Sequence, residues 1–139
     1  MKFIDTNVFL HAFLQPKGKL TEVERYVKQN AKNIIRRIEN GEKTITSAVH
    51  ISEVSNVLES RSSNKVAREI IESIILNENI TIAEVNKNIY ISSIEFAKIH
   101  DININDCAAV TIMKLSNTKE IYSFDSDFDK IEGIERIEK

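Results

Sequence analysis

Asp5, Glu53, Asp106 and Asp125 stand at four separated places where the chain, read as alternating strands and helices, turns or buries itself. Oxygen donors gathered from distant segments suit a hard divalent cation. Asp5 ends the apolar run Lys2-Phe3-Ile4 and precedes Thr6-Asn7-Val8-Phe9-Leu10, a pattern that predicts a short buried strand delivering a carboxylate to a turn before a helix. Asp125 repeats this after Ile121-Tyr122-Ser123-Phe124. Ligands of open parallel sheets bind beyond the carboxyl ends of the strands, so two strand-end acids and two helix acids could share one crevice.

Each acid also has an ordinary reading. Asp is a favoured helix N-cap, and taken alone Asp5 is accounted for by capping. Glu53 lies between Val49 and Val57 at the margin of an apolar helix face, where it either reaches solvent or needs a partner to offset the cost of burial. Asp106 is expected to begin a buried helix on the face of Ala109, Val110 and Met113, where the helix dipole favours an ionised carboxylate. The run Asp125-Ser126-Asp127-Phe128-Asp129 superficially resembles a calcium loop, but Lys130 takes the place of the required glycine and Arg136 that of the bidentate Glu.

The elements that must position these acids follow from periodicity and capping. Thr6–Leu14 reads as a short helix stopped by Pro16 and Gly18. Thr21 and Glu24 form a capping box for a helix through Val23, Val27, Ala31, Ile34 and Ile38. Lys43-Thr44-Ile45-Thr46 is a predicted strand, with Ser47 capping a helix through Ile51, Val54 and Leu58. Asn64 is expected to cap the next helix, Ile80–Ala83 to be a strand, Asn86 to open a helix that frays near His100, and Asn105 to cap a central helix to Leu115. Ile121–Phe124 is the next strand, Phe128 and Ile131 belong to a short turn or helix, and Ile134, Arg136 and Ile137 add an edge strand. The alternation predicts an α/β fold: one domain over residues 1–139, with a central parallel sheet of about five strands and helices on both faces.

Composition narrows the function. With 139 residues, 42% hydrophobic and 29% charged, the chain fits one compact unit. A net charge of -2 excludes a broad cationic surface, so nucleic-acid contact must be local or metal-assisted. Cys107 is the only cysteine, which excludes an internal disulfide and a cysteine zinc site and suits a reducing compartment, the cytoplasm by default. No apolar stretch approaches a membrane span, and no signal peptide is expected. His11, His50 and His100 lack metal spacing and read as packing or surface residues; Cys107 reads as an inert core thiol.

In their order, Phe3-Ile4-Asp5-Thr6-Asn7, Thr46-Ser47 with Ile51-Ser52-Glu53-Val54, Ile104-Asn105-Asp106-Cys107-Ala108-Ala109 and Ile121–Phe128 resemble the PIN-domain nucleases, in size and layout most like the toxin ribonucleases of toxin–antitoxin pairs. Ser123 departs from the Thr more usual in that family. The resemblance implies a Mg²⁺- or Mn²⁺-dependent endoribonuclease hydrolysing single-stranded RNA to leave a 5′-phosphate and a 3′-hydroxyl. Asp5, Asp106 and Asp125 would be the main ligands and Glu53 a direct or water-mediated one. Asp127 would be an auxiliary acid, with Thr6 or Asn7 supporting Asp5 and Ser123 orienting a ligand or water. It further implies an antitoxin partner and a homodimer. Lys32, Arg36, Arg37, Arg61, Lys65 and Arg68 are candidate phosphate contacts, although each is also accounted for as a solvated helix residue. Two other readings are a non-catalytic RNA-binding module and a receiver-like signalling domain. The latter would need paired acids after the first strand and a strand-end lysine, and the chain has neither.

Overall fold

Phe3 and Ile4 are both fully buried yet project to opposite faces of a sheet, and the two cores of the molecule form around them. A computed structural model describes residues Met1–Lys139. Strands β1 (Lys2–Ile4), β2 (Thr44–Ser47), β3 (Ile80–Ala83), β4 (Glu120–Tyr122) and β5 (Glu135–Ile137) form one five-stranded sheet in the order β3-β2-β1-β4-β5, with every pairing parallel.

Register explains the layering. Phe3 pairs with Ile45 on one side and Ile121 on the other. This row packs against helix α5 (Lys87–His100) and helix α6 (Ile104–Leu115), whose Cys107, Ala108, Ala109, Val110 and Met113 are fully buried. The small residues of α6 let it lie close on the sheet. Ile4 and its partner Tyr122 face the other way. There they meet helices α1 (Thr6–Phe13), α2 (Glu22–Glu39), α3 (Ala48–Arg61) and α4 (Asn64–Ile75). A 3-10 helix, Ser126–Lys130, joins β4 to β5 and buries Phe128.

The five parallel strands and two helical layers are those expected from the sequence, and several caps are too. Thr21 and Glu24 form the reciprocal capping box, Ser47 accepts from the His50 N–H, and Asn86 accepts from the Ile89 N–H. Other boundaries differ. Ser63, not Asn64, caps α4, accepting from the Val66 N–H. Asn105 does not cap α6, which starts after Asn103 without a side-chain cap bond. β4 stops at Tyr122, because the Phe124 and Asp125 N–H groups donate to the side chains of Asn7 and Ser123 rather than to a neighbouring strand.

At the sheet margin β5 has three residues, and its Arg136 is bound to Asp129, to Glu138 and to the Ser123 carbonyl. No helix is long and apolar enough to cross a membrane.

The α4 cap gives a direct test. Ser63→Ala should lower stability in urea unfolding by about 1 kcal/mol, whereas Asn64→Ala should be neutral to within about 0.5 kcal/mol.

Candidate metal centre

The order β3-β2-β1-β4-β5 reverses direction between β1 and β4, so their carboxyl ends frame the crevice where parallel sheets place ligands. Asp5 follows β1 directly and is 5% exposed. Its Oδ1 accepts from the Thr6 N–H at 2.8 Å, making it the N-cap of α1, and its Oδ2 accepts from Ser123 Oγ at 2.7 Å. The capping role of Asp5 therefore engages one of its oxygens and leaves the other to Ser123. Ser123 Oγ in turn accepts from Asn7 Nδ2 at 3.3 Å and from the Asp125 N–H at 3.0 Å. Asn7 thus reaches Asp5 through Ser123, while Thr6 supports it through the backbone.

Asp125 lies three residues beyond the end of β4 and caps the 3-10 helix, its Oδ1 accepting from the Asp127 N–H at 2.9 Å. That turn brings Asp127 alongside. Asp106, on the first turn of α6, completes a trio: one carboxylate oxygen from each of Asp106, Asp125 and Asp127 lies within 4.8 Å of the others. Asp127, read from the sequence as auxiliary, thus stands in the tightest group, although Lys130 Nζ contacts its Oδ1 at 2.6 Å. Glu53, on the second turn of α3, shares a cleft with residues 102–106, and its Oε1 accepts from Asn105 Nδ2 at 2.8 Å. Asn105 Oδ1 accepts from the Tyr90 hydroxyl at 3.3 Å. The residue expected to cap α6 instead steers Glu53.

The electrostatics register this crowding. Asp106 is pushed up to about 7, first by burial and then by the charges of Asp5, Asp125, Glu53 and Asp127. Although Asp106 stands on the first turn of α6, where a helix dipole favours the ionised form, burial and the neighbouring anions raise its proton affinity. Burial likewise pushes Asp5 up to about 6; the Ser123 and Thr6 hydrogen bonds oppose the rise, and Glu53 and Asp125 add to it. Asp106 Oδ2 is buried with no hydrogen-bond partner, an expensive state for a carboxylate oxygen. A set made of carboxylate oxygens, one of them orphaned and two with a raised proton affinity, fits a hard divalent cation.

Sequence reasoning passed over His50. It is 1% exposed, packs edge-on against Phe3, and places Nε2 3.8 Å from Asp5 Oδ1. Its ring and Asp5 are 45 positions apart, so no local spacing reveals the contact. Cys107 is fully buried, and burial raises its thiol, in keeping with an inert core residue. Among the basic candidates, Arg37 pairs with Glu42 and lies over the Tyr122 ring at the amino-terminal edge of the sheet, where Lys2 also binds Glu42. It is thus at the wrong end of the strands to meet the acids. Arg61 lines a groove with Asn7, Leu10, His11 and Lys28, whereas Lys65 pairs with Glu69.

A family model described as the PIN domain matches residues 2–134. No curated protein matches the chain significantly. Among solved structures, Mycobacterium tuberculosis VapC20, described as a sarcin-ricin loop cleaving toxin, superposes with a TM-score of 0.74 at 19% identity, covering 93% of each chain. A toxin–antitoxin complex from Klebsiella pneumoniae gives 0.67 at 16% identity over 96% of this chain and 95% of that one. VapBC2 from Rickettsia felis, bound to a DNA fragment from its promoter, gives 0.68 at 11% identity over 98% and 96%. At these identities the likeness is one of fold.

The raised acids set a pH dependence. Unfolded carboxyls release their protons near pH 4, whereas folded Asp5 and Asp106 hold theirs to about 6 and 7, so the cost of ionising these buried carboxyls, with repulsion between neighbours added, erodes metal-free stability as pH rises through that window. Burial lowers His50 to about 4, which acts in the opposite sense, so the parent is best compared with Asp106→Asn. The two should melt together near pH 4, with the variant several degrees higher at pH 8 in EDTA and Mg²⁺ favouring the parent. Coincident melting curves across that range would refute a cost of ionising Asp106.

Proposed function

The chain belongs to the PIN-domain family, and on that premise we propose that it is an endoribonuclease that hydrolyses single-stranded RNA with Mg²⁺ or Mn²⁺, acting as the toxin of a toxin–antitoxin pair. The observation that carries this reading is the carboxylate cluster with the unpartnered Asp106 Oδ2 at the β1/β4 switch point.

In this reading Asp5, Asp106 and Asp125 hold the cation, Glu53 acts directly or through water, and Asp127 lies close enough to Asp106 and Asp125 to contribute. When bound, Mg²⁺ or Mn²⁺ supplies positive charge for the phosphodiester and makes a bound water more acidic. The protein's part is preorganisation. Ser123 and the Thr6 N–H fix both oxygens of Asp5, Asn105 fixes Glu53, and Asn7 braces Ser123. Lys130 Nζ offsets part of the charge of Asp127 at the rim. A site this acidic repels RNA until its charge is offset, so binding and hydrolysis share one requirement. Products with a 5′-phosphate and a 3′-hydroxyl complete the proposal.

An antitoxin covering the acidic cleft is the proposed partner, supported by the fold shared with the Klebsiella and Rickettsia complexes. A homodimer is proposed as well. Ile91, Ile94 and Ile99 of α5 are 50%, 41% and 78% exposed, leaving apolar surface for a second copy.

Labelled single-stranded RNA should be cleaved by the parent with Mn²⁺ or Mg²⁺. Asp5→Asn and Asp106→Asn should each lower the rate by at least about 100-fold while remaining folded. EDTA should abolish both cleavage and RNA retention. Equal rates for the parent and both folded variants would defeat the nuclease reading. For the dimer, light scattering should give twice the chain mass, falling to one chain mass in Ile91→Glu/Ile94→Glu.

A further inference from the structure

His50 has a polar atom that the site described so far does not use. Its side chain is 1% exposed, and Nε2 has no hydrogen-bond partner. The charged group within ion-pair distance of it is Asp5, with Oδ1 3.8 Å away. An orphaned donor or acceptor on a buried side chain costs enough that it calls for an explanation.

The tautomer follows from the partner on the other side of the ring. Ser47 Oγ lies 2.6 Å from Nδ1 and already accepts the His50 backbone N–H at 3.2 Å. If Nδ1 carried the hydrogen, the buried Ser47 hydroxyl proton would lack an acceptor, and the Nε2 lone pair would point at a carboxylate. If Nε2 carries it, the hydroxyl donates to Nδ1 and the ring turns a positive N–H toward Asp5. Burial favours the uncharged ring. Phe3 packs edge-on against the imidazole at 5.0 Å, and Thr6 Oγ1 donates to the His50 carbonyl at 3.4 Å, so ring and backbone are both held.

We propose that His50 is a positioning residue whose neutral Nε2–H, set by Ser47, orients the Asp5 carboxylate as a cation ligand. The Thr6 N–H and Ser123 Oγ occupy one lone pair on each oxygen of Asp5. His50 approaches Oδ1 as a third donor from the α3 side. At 3.8 Å the contact is electrostatic, and a movement of Asp5 by less than about 1 Å brings it into hydrogen-bond range. Outer donors of this kind restrict the angle a ligating carboxylate presents to its cation. The role rests on the metal-centre reading of the acids; the tautomer does not.

Two measurements on the full chain test it. Two-bond proton–nitrogen NMR correlations of the His50 ring at pH 7 should show the Nε2–H tautomer; an Nδ1–H ring or one protonated on both nitrogens overturns the proposal. Calorimetric titration with Mg²⁺ should show His50→Leu about 10- to 100-fold weaker than the parent, and His50→Gln, which keeps a donor, within about threefold. A folded His50→Leu that binds Mg²⁺ as tightly as the parent also overturns it. If that variant does not fold, the tautomer of the parent decides. A parent that binds no Mg²⁺ refutes the metal-centre reading instead, and the NMR result still judges His50.

Discussion

The hydroxyl of Ser123 pins the end of β1 to the loop that follows β4. A hydroxyl has one proton to give and two lone pairs, and here all three are engaged, by Asp5, by Asn7 and by the Asp125 N–H. The arrangement exists because β1 and β4 are neighbours in the sheet although they lie more than a hundred residues apart in sequence. Their carboxyl ends carry Asp5 and Asp125, so the bond that closes the sheet also aligns two acids.

Around that pin the protein tolerates repulsion that it could have avoided. Burial and four neighbouring carboxylates raise Asp106, and the hydrogen bonds to Asp5 only partly offset its own burial. The fold is held elsewhere, by a row of Phe3, Ile45 and Ile121 against α6 on one face and by Ile4 and Tyr122 against the other helices. The electrostatic cost thus falls at one end of the strands, flanked by the two buried cores.

The division between what could be read in the chain and what could not follows sequence distance. Thr21 with Glu24, Ser47 and Asn86 announce helix starts because cap and target are three residues apart. Ser63 and Asn64 are both good caps side by side, so only the backbone path at the start of α4 decides between them. Asn105 looked like a cap because its true partner, Glu53, lies 52 positions away. The same holds for His50, whose surroundings come from β1, β2 and α1 together. Asp5, Asp106 and Asp125 could be picked out because each sits at or near the start of a helix that follows a strand or loop, whereas Glu53 lies inside α3 and was marked only by its place at the edge of an apolar face. The close approach of Asp127 depends on the turn of a 3-10 helix that periodicity located only loosely.

The short outer strand β5 has a bearing on colloidal behaviour. Its few backbone groups are the place where an unrelated strand could add on, and Arg136, a charged side chain clasped by Asp129, Glu138 and the Ser123 carbonyl, stands across that margin. Sheet-to-sheet growth is discouraged on this side, which leaves association between copies to side-chain surfaces such as that of α5. A three-residue outer strand with an engaged arginine can in this way protect one margin of a fully parallel sheet from strand addition.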